Sequence, residues 1–262
     1  MGTTRFGEKY GPYALVAGGS YGLGAAFAEA IARRGLSIVL LARQEDRLKA
    51  TADRLRDAYG VDVVAIAVDV GDFDKIKARL ADLTVSVGLL VYDAAYAPIG
   101  PFTDTTEDQL ARATAVNVRA PLLLTKLLST PMIERGRGGI VLMSSLAGSQ
   151  GSPNIAAYAA TKSFNAILAE GLWNELKPHG VDVLACLAGA ILTPGYQAAE
   201  GAKPAPGTLQ AKDVAEQTLN ALGKGPIIIP GAVNKVARFI LTRMLTRRAA
   251  IAIMSKNTGG LS

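Results

Sequence analysis

The sequence has few of the residues that disulfides and metal sites need. Its 262 residues include one cysteine, Cys186, and one histidine, His179. A single cysteine excludes an intramolecular disulfide and a cysteine-rich metal centre. Cys186 lies in an apolar run, which is typical of a buried, inert thiol. His179 follows a Lys-Pro pair at the end of a helical pattern, where capping or exposure to solvent is the ordinary role. We therefore expect no metal site.

Several other signals are missing as well. No basic-then-apolar leader opens the sequence, so we expect a cytoplasmic location. We find no internal repeat and no low-complexity linker. Aromatic residues are 6% of the chain and do not interleave with the basic ones, so the formal charge of +6 does not indicate a nucleic-acid surface. We interpret this charge as a solvated surface that also attracts an anionic ligand.

The chain does have a high apolar content in a regular alternation. Hydrophobic residues are 50% of the sequence and charged residues 19%, which suits one large α/β domain over residues 1–262. Apolar strand-like runs alternate with helical patterns, which predicts a doubly wound, seven-stranded parallel sheet with helices on both faces. The predicted strands are Tyr13–Ala17, Ser37–Ala42, Asp62–Val68, Gly88–Asp93, Gly139–Ser144, Val181–Leu187 and Ile227–Ile229. The predicted helices lie near 22–34, 44–59, 72–82, 106–132, 156–177 and 212–222.

A glycine-rich turn follows the first predicted strand. Gly18, Gly22 and Gly24 lie between that strand and an alanine-rich helix that Gly35 would end. Backbone N–H groups and the positive end of a helix favour an anion at such a turn, and glycines let a pyrophosphate approach. The order of strand, turn and helix therefore predicts nucleotide binding.

Tyr158 and Lys162 form a second motif. They are four residues apart on a predicted helix, so their side chains share one face. The ordinary pKa of a tyrosine is about 10, and a nearby lysine cation lowers it. Such a pair is a general acid or base for an alcohol oxygen, although alone it could also be two residues on a solvated face. Ser145 precedes Tyr158 by thirteen residues.

Together these motifs resemble the short-chain dehydrogenase/reductase family, and the resemblance covers nearly the whole chain. The family's Gly-x-x-x-Gly-x-Gly turn is matched by Gly18, Gly22 and Gly24, and its catalytic tetrad is matched by Asn117, Ser145, Tyr158 and Lys162. The resemblance implies a single Rossmann-type domain and an oxidoreductase. It also implies a homodimer or homotetramer formed through the helices at 106–132 and 156–177.

The resemblance assigns a role to each tetrad residue. Tyr158 would be the acid in reduction and the base in oxidation. Lys162 would bind the nicotinamide ribose and lower the pKa of the tyrosine. Ser145 would hold the substrate oxygen, and Asn117 would hold a water in a proton relay. The chemistry implied is hydride transfer between nicotinamide and a carbonyl carbon, with proton transfer at oxygen.

The second strand ends at Ala42 and Arg43, which predicts NADP(H) as the cofactor. Members of the family that prefer NAD carry aspartate at the position of Ala42, whereas the Arg43 guanidinium can hold a 2′-phosphate; a solvated arginine is the alternative. Arg47 could assist it or face water. Asp69 would hydrogen-bond the adenine or cap a helix. The predicted cofactor contacts are Gly18, Ser20, Tyr21, Gly22, Leu23, Gly24, Arg43, Asp69, Val70, Ala94, Asn117, Tyr158, Lys162, Ile191 and Thr193.

Three segments depart from the family pattern. Ala17 replaces a threonine before the glycine turn, Tyr92-Asp93-Ala94-Ala95 replaces Asn-Asn-Ala-Gly, and Ala188 replaces a proline. An aspartate keeps the shape of asparagine but loses its donor and can carry a charge. These departures bear on stability and cofactor geometry more than on proton transfer.

The predicted substrate contacts are Tyr96, Gln150, Ile155 and Tyr196. Their surroundings are mostly apolar, which favours a hydrophobic ketone or secondary alcohol. Residues 190–211 are rich in glycine and proline and would form a lid over the substrate or a plain surface loop.

Residues 233–254 alternate basic and apolar side chains in a helical pattern. They lack the ~18 consecutive apolar residues of a membrane span. A basic amphipathic helix there could lie on an anionic membrane surface, cover the pocket, pack on the core or contact another subunit.

The sequence thus predicts an NADP(H)-dependent carbonyl reductase (EC 1.1.1.-) that acts on a small-molecule carbonyl or alcohol. One alternative is an epimerase or dehydratase with the same fold. The other is a regulatory protein that senses NADP(H) without turnover, although it would have no reason to keep all four tetrad residues.

Overall fold

The fold is a seven-stranded parallel sheet with helices on both faces. The computed structural model describes residues 5–193 and 206–258. The strands of the described part are β1 Tyr13–Ala17, β2 Ser37–Ala42, β3 Val63–Ala67, β4 Val87–Tyr92, β5 Gly138–Ser145, β6 Val181–Ala188, β7 Ile191–Leu192, β8 Leu209–Gln210 and β9 Ile227–Ile228. The order in the large sheet is β3-β2-β1-β4-β5-β6-β9, and β7 pairs with β8 separately. The predicted fold class is confirmed.

The helices alternate with the strands along the chain. Those of the described part are α1 Arg5–Tyr10, α2 Gly22–Ala32, α3 Glu45–Tyr59, α4 Phe73–Ala81, α5 Glu107–Thr114, α6 Ala120–Glu134, α7 Ala156–Leu176, α8 Ala211–Ala221, α9 Ala232–Phe239 and α10 Arg247–Thr258. Local chemistry fixes several ends. Thr106 and Gln109 form a capping box at the start of α5, and Gly60 ends α3 with a φ of 64° that favours glycine.

The hydrophobic core lies on both faces of the sheet because successive strand residues point to opposite sides. In β1, Val16 belongs to the apolar cluster on one face and Leu15 to the cluster on the other. Both side chains are fully buried. Burial of an aliphatic side chain of this size stabilises the fold by about 1.5–3 kcal/mol. Because both faces of these strands are buried, their sequences are continuous apolar runs.

The strand order places a crevice at one edge of the sheet. The connections from β1 run outward to β2 and β3, whereas β4 lies on the other side of β1. Ligands in open parallel sheets bind beyond the carboxyl ends of the strands at such a reversal. The glycine turn follows β1, and the segment Asp93–Tyr96 follows β4, so both border the crevice.

Two predicted helices differ from the structure. The helix expected at 106–132 contains a π turn, Ala115–Arg119, between α5 and α6. The segment expected as one helix at 233–254 forms α9, a π turn at Ile240–Met244 and α10. The break occurs at Leu245, whose backbone is extended, and the Thr246 hydroxyl accepts the Ala249 N–H at 3.3 Å to begin the next helix.

Two further predictions concern residues at the periphery. Of the lid expected at 190–211, residues 194–205 lie outside the described ranges, while β7 and β8 on either side of them are paired in parallel. None of the helices in the described ranges has the length and apolar content needed to cross a bilayer.

Candidate active site

The turn at Gly18–Gly24 is held by backbone contacts that only glycine permits at two positions. Gly18 has a φ of 90°, and a Cβ there would lie 2.8 Å from the Ala94 nitrogen. A Cβ on Gly24 would lie 2.2 Å from the Gly18 carbonyl oxygen. The Gly18 N–H donates to the Leu41 carbonyl at 2.8 Å, which ties the turn to β2. The turn therefore brings its backbone close to both neighbouring strand ends.

Ala17, which stands where the family has a threonine before the glycine turn, holds the turn by its backbone carbonyl. Its carbonyl accepts the N–H groups of Asp93 at 3.0 Å and Ala94 at 2.9 Å. These two bonds join the ends of β1 and β4 without the hydroxyl of a threonine.

The residues of the turn fit a dinucleotide phosphate. Helix α2 begins with no side-chain cap on Tyr21 and no acidic residue in its first turn. The N–H groups of Gly22 and Leu23 are therefore open to an anion at the positive end of the helix dipole, whereas the Gly24 N–H bonds Asp93. Leu23 packs its side chain into the core, so its backbone N–H is the group it offers at the turn.

A cavity of about 450 Å³ opens beside the turn. Its lining includes seven of the residues predicted to contact a cofactor, namely Gly18, Ser20, Tyr21, Arg43, Asp69, Val70 and Ala94. Three arginines reach it from different elements: Arg43 follows β2, Arg47 lies on α3 and Arg112 on α5. The cavity is thus positively charged at its mouth, as an adenosine phosphate requires.

Two of these arginines stack on tyrosine rings. The Arg47 guanidinium carbon lies 4.9 Å from the ring centre of Tyr21, and that of Arg112 lies 4.8 Å from the ring centre of Tyr96. Cation–π contacts of this length orient a guanidinium even where it is partly exposed. Arg47 therefore lines the cavity beside Tyr21, and its role in binding a cofactor stays a prediction.

Asp69 lies between two arginines at the floor of this region. Its Oδ2 is 4.0 Å from Arg43 and 3.8 Å from Arg112, and its Oδ1 accepts the Gly71 N–H at 2.9 Å. The helix-cap role considered for Asp69 belongs instead to Asp72, whose Oδ1 accepts the Lys75 N–H at 3.2 Å at the start of α4.

Asn117 is fully buried in the π turn between α5 and α6. Its Oδ1 accepts the Tyr96 N–H at 2.8 Å, and its Nδ2 donates to the Tyr96 carbonyl at 2.7 Å and to Thr161 Oγ1 at 3.1 Å. The amide therefore fixes the segment after β4 and connects it to α7. Single π turns within a helix are frequently found at functional sites, and this one places a polar side chain in an apolar layer.

Ser145, Tyr158 and Lys162 converge where β5 ends and α7 passes behind it. Tyr158 and Ser145 share a hydrogen bond, and Ser145 Oγ also accepts the Ala147 N–H at 3.2 Å. Lys162 Nζ lies 5.5 Å from the centre of the Tyr158 ring and donates to the Met143 carbonyl at 3.0 Å. The helical spacing predicted from the sequence thus brings the phenol and the ammonium to one site.

Burial sets the proton affinities of this group. It raises the pKa of Tyr158 to about 12; the charge of Asp93 acts in the same direction, and the Ser145 hydrogen bond opposes it. It also lowers the pKa of Lys162 to about 8, which Asp93 partly offsets. The sequence predicts that the lysine depresses the tyrosine pKa, but in the protein alone burial raises that pKa, and the opposing contribution comes from Ser145. The phenol is consequently protonated at neutral pH.

Asp93 is the titratable group that links the turn to the tetrad. Burial raises its pKa to about 6, whereas the Lys162 cation and a hydrogen bond from the Gly24 N–H lower it. The carboxylate thus accepts from the glycine turn where the family has an asparagine. Because its charge affects Tyr158 and Lys162, this departure changes the electrostatics of the site while keeping its shape.

Two loops flank the region where a substrate would approach the tetrad. One follows β4 and includes Tyr96; the other follows β5 and includes Gln150. The Gly100 N–H donates to the Asn154 carbonyl at 2.9 Å, and Asn154 Nδ2 donates to the Thr258 carbonyl at 3.1 Å. Asn154 adopts a left-handed φ of 62° to make both contacts. The two loops and the last helix are therefore joined at one residue.

The predicted substrate contacts fall on these loops in part. Gln150 is buried, and its Oε1 has no partner among the described residues. Ile155 precedes the first turn of α7, three residues before Tyr158. Tyr96 faces the arginine-lined cavity, so it lies closer to the adenosine side than we expected. Tyr196 lies outside the described residues.

The remaining predicted cofactor contacts lie after β6. Ile191 is in β7 and packs against the core. The Thr193 methyl carbon would lie 3.3 Å from a Cβ on Gly22, so this segment closes over the glycine turn.

Sequence reasoning missed Arg112 and Thr161. Arg112 comes from α5, far along the chain from the turn, and no spacing marks it as a lining residue. Thr161 lies within the Tyr-x-x-x-Lys motif and accepts a hydrogen bond from Asn117. Its position in that motif is the sequence signal that could have identified it as a site residue.

Comparison with known proteins places these motifs in a family context. The family model described as short chain dehydrogenase matches residues 12–203. A very-long-chain 3-oxoacyl-CoA reductase of Emericella nidulans is 36% identical over 184 residues, which are 68% of this chain and 53% of that protein. The match therefore spans about half the length of that curated relative.

Two solved structures are similar over almost the entire chain. A chain from a study of 7beta-hydroxysteroid dehydrogenase stereoselectivity has a TM-score of 0.91 at 26% identity, covering 96% of this chain and 100% of that one. A short-chain dehydrogenase from Sphingobium yanoikuyae in complex with NADPH has a TM-score of 0.78 at 29% identity, covering 96% of each chain.

Proposed function

The chain belongs to the short-chain dehydrogenase/reductase family of NAD(P)(H)-dependent oxidoreductases, and from this we propose that it is an NADP(H)-dependent reductase of an apolar ketone or aldehyde. The observation that carries the proposal is the convergence of Ser145, Tyr158 and Lys162 beside an uncapped glycine turn. The first group handles a proton at a carbonyl oxygen, and the second binds a dinucleotide phosphate.

The preference for NADP(H) is supported by the charge of the cavity. Arg43, Arg47 and Arg112 would hold the 2′-phosphate, and Asp69 is already paired with two of them. A free carboxylate at the end of β2 would instead repel that phosphate, and Ala42 provides none. The solved NADPH complex of the related dehydrogenase agrees with this assignment.

Proton transfer is assigned to Tyr158. When bound, NADP(H) supplies the hydride that the protein side chains lack. Burial keeps the Tyr158 phenol protonated at neutral pH, so it donates its proton to the carbonyl oxygen during reduction. Ser145 holds that oxygen within reach of the phenol. Lys162, with a pKa of about 8, is mostly cationic at pH 7 and stabilises the phenolate that remains.

The substrate class is proposed from exposed apolar side chains on the loop after β4 and from the named relatives. Ile99 and Phe102 present apolar side chains on the loop after β4, with 55% and 61% of their surface exposed. The relatives include an enzyme named for 3-oxoacyl-CoA reduction and a hydroxysteroid dehydrogenase. Both names describe oxygen functions on large apolar skeletons, which suits these exposed apolar side chains better than a charged sugar.

The test is NADPH consumption against three groups of carbonyl compounds: bulky apolar ketones, long-chain 3-oxoacyl thioesters and small charged keto acids. We expect turnover with one of the first two groups. Tyr158→Phe should lower kcat on the order of 10³-fold because it removes the acid. Tyr59→Phe, which loses a hydroxyl that bonds Glu29 away from the site, is the matched control and should retain activity.

Two outcomes would contradict the proposal. Equal activity of the native protein and Tyr158→Phe would remove the acid from the mechanism. NADPH binding without turnover across the panel would instead favour a regulatory protein that senses the cofactor. The cytoplasmic location and the homo-oligomer expected from the sequence stay predictions.

A further inference from the structure

The net positive charge of this protein comes from the C-terminal part of the sequence. From Gln217 onward the sequence has seven lysines and arginines and no aspartate or glutamate. The first 216 residues have 21 basic and 22 acidic side chains, so they are nearly neutral. The whole formal excess of +6 therefore comes from the segment that contains α9 and α10.

These basic side chains form no ion pairs within the part of the chain that the structure describes. None of the ion pairs among the described residues includes a lysine or arginine that follows Glu216. Arg247 donates to the Ser149 carbonyl at 2.9 Å, which orients it but leaves its charge uncompensated. The positive electrostatic potential of these side chains therefore acts on anionic molecules or surfaces in the surrounding solvent.

Helix α9 and the following π turn carry an exposed apolar face within this basic region. Its residues, which we call the α9 face, are Val233, Val236, Phe239, Ile240 and Met244, and between 40% and 70% of the surface of each is exposed. Val233, Val236 and Ile240 are spaced three and four residues apart, so they follow one side of a helix. Lys235 and Arg243, both exposed, flank this side.

The opposite side of α9 is fixed to the protein. Asn234 is buried, and its Nδ2 donates to the carbonyls of Gly207 and Pro230, each at 3.0 Å. The helix also packs against the turn Leu146–Ser149 beside the tetrad. The α9 face is therefore held outward in a fixed orientation by polar contacts behind it.

We infer that the α9 face docks the protein on an anionic lipid surface. Apolar side chains flanked by unpaired cations match the two layers of such a surface, acyl chains below and anionic headgroups above. Nucleic acid offers the charge but not the apolar layer. A second copy of the chain would bring an equally basic face against this one, which is repulsive. Docking would place the loop of Gln150 near the lipid, where apolar carbonyl compounds dissolve.

The inference is tested by flotation of the full-length protein with lipid vesicles, without cofactor or substrate, so that it succeeds or fails independently of the reaction. Vesicles of phosphatidylcholine alone are compared with vesicles that contain about 30 mol% phosphatidylserine. We expect at least tenfold more binding to the anionic vesicles at ~0.05 M salt, and most of it lost at ~0.5 M, where charges are screened.

Two variant pairs separate the α9 face from general charge. Val236→Glu with Phe239→Glu should lower binding at least tenfold by removing apolar contacts. Lys235→Glu with Arg243→Glu should do the same by reversing charge. The control, Lys49→Glu with Lys77→Glu, makes the same net change at exposed lysines on α3 and α4 and should leave binding within about twofold. Circular dichroism and NADPH binding verify that each variant is folded.

Three results would overturn the inference. The first is equal binding of the native protein to neutral and anionic vesicles, or no binding to either. The second is loss of binding in the control pair as large as in the α9-face variants. The third is a native dimer in sedimentation that Val236→Glu with Phe239→Glu converts to monomer while vesicle binding is absent, which would make the face a contact between two copies.

Discussion

Replacement of Asp93 by asparagine should stabilise the protein, and the gain should increase with pH. The pKa of this carboxyl rises from 3.8 to about 6 in the fold because burial disfavours its charge. At a pH below 3.8 the group is protonated in both states and costs nothing. Between pH 3.8 and about 6 the unfolded state releases this proton while the folded state retains it, so stability is lost in this window and stays at the lower level above it. Asparagine keeps the shape and remains neutral.

The magnitude follows from the shift of about two pKa units. One unit corresponds to about 1.36 kcal/mol, so ionised Asp93 costs the fold roughly 3 kcal/mol at pH 7. The attraction of Lys162 is already included, because the Lys162 cation is one of the groups that set the pKa of Asp93 in the fold. Between pH 4.5 and 7.5 the advantage of the variant in the free energy of unfolding should grow by about 2 kcal/mol.

Urea unfolding followed by circular dichroism at several pH values measures this difference. Asp57→Asn, at an exposed position on α3, is the control for the loss of a carboxylate outside the site. An advantage of Asp93→Asn that is constant or shrinks as the pH rises would refute the argument. A second readout is the pH profile of reduction: without the Asp93 charge the pKa of Tyr158 falls, so activity should decline at a lower pH than in the native protein.

Three further predictions concern the cofactor cavity and the tetrad. Arg43→Ala should raise KM for NADPH at least tenfold and leave KM for NADH nearly unchanged in steady-state assays, because it removes a phosphate ligand. Lys162→Met should raise the free energy of unfolding at pH 7 by roughly 3 kcal/mol, since a buried ammonium with its pKa lowered to about 8 is costly below that pH; this gain should vanish by pH 10.5, where the unfolded lysine also loses its proton. Asn117→Ala should lower the melting temperature, because the Tyr96 N–H and carbonyl lose their partners.

Each of these has a matched control and a contradicting result. Arg79→Ala, an exposed arginine on α4, should leave both KM values unchanged, and an equal loss for both cofactors in Arg43→Ala would argue against phosphate binding. A stability gain of Lys162→Met that persists above pH 10.5 would come from packing rather than charge. Asn220→Ala removes an exposed asparagine on α8, so it should lower the melting temperature less than Asn117→Ala, and the reverse order would contradict the role of Asn117 in holding the Tyr96 backbone.

The sequence predicted the features that depend on neighbouring residues. Short apolar runs such as Leu15–Val16 specify strands buried on both faces, and the spacing of Tyr158 and Lys162 specifies one helix face. The alternation of strands and helices, with crossover connections of one preferred hand, specifies a parallel sheet covered by helices on both faces. These rules are local or topological, so the large sheet and the convergence of the tetrad could be predicted.

The remaining features depend on contacts between distant segments. Arg112 reaches the cavity because α5 packs beside the loop after β4, which no residue near it reveals. The π turn at Asn117 results from a pairing with the Tyr96 backbone across the fold. The break at Leu245 separates α9 and its π turn from α10. Both stretches have the same helical periodicity, so periodicity alone predicts one continuous helix. The pKa of Tyr158 likewise depends on how deeply the fold buries it.

The contacts of Asn154 have a consequence for motion. Its carbonyl holds the Gly100 amide and its side chain holds the last turn of α10, so release of that helix frees one end of a chain of hydrogen bonds that reaches both loops. We therefore expect local unfolding of α10 to loosen the loops after β4 and β5, beyond the fraying of a helix end. The Gly100 amide, far from the C-terminus in sequence, should exchange its hydrogen with solvent in step with the amides of α10, and Asn154→Gly should uncouple the two.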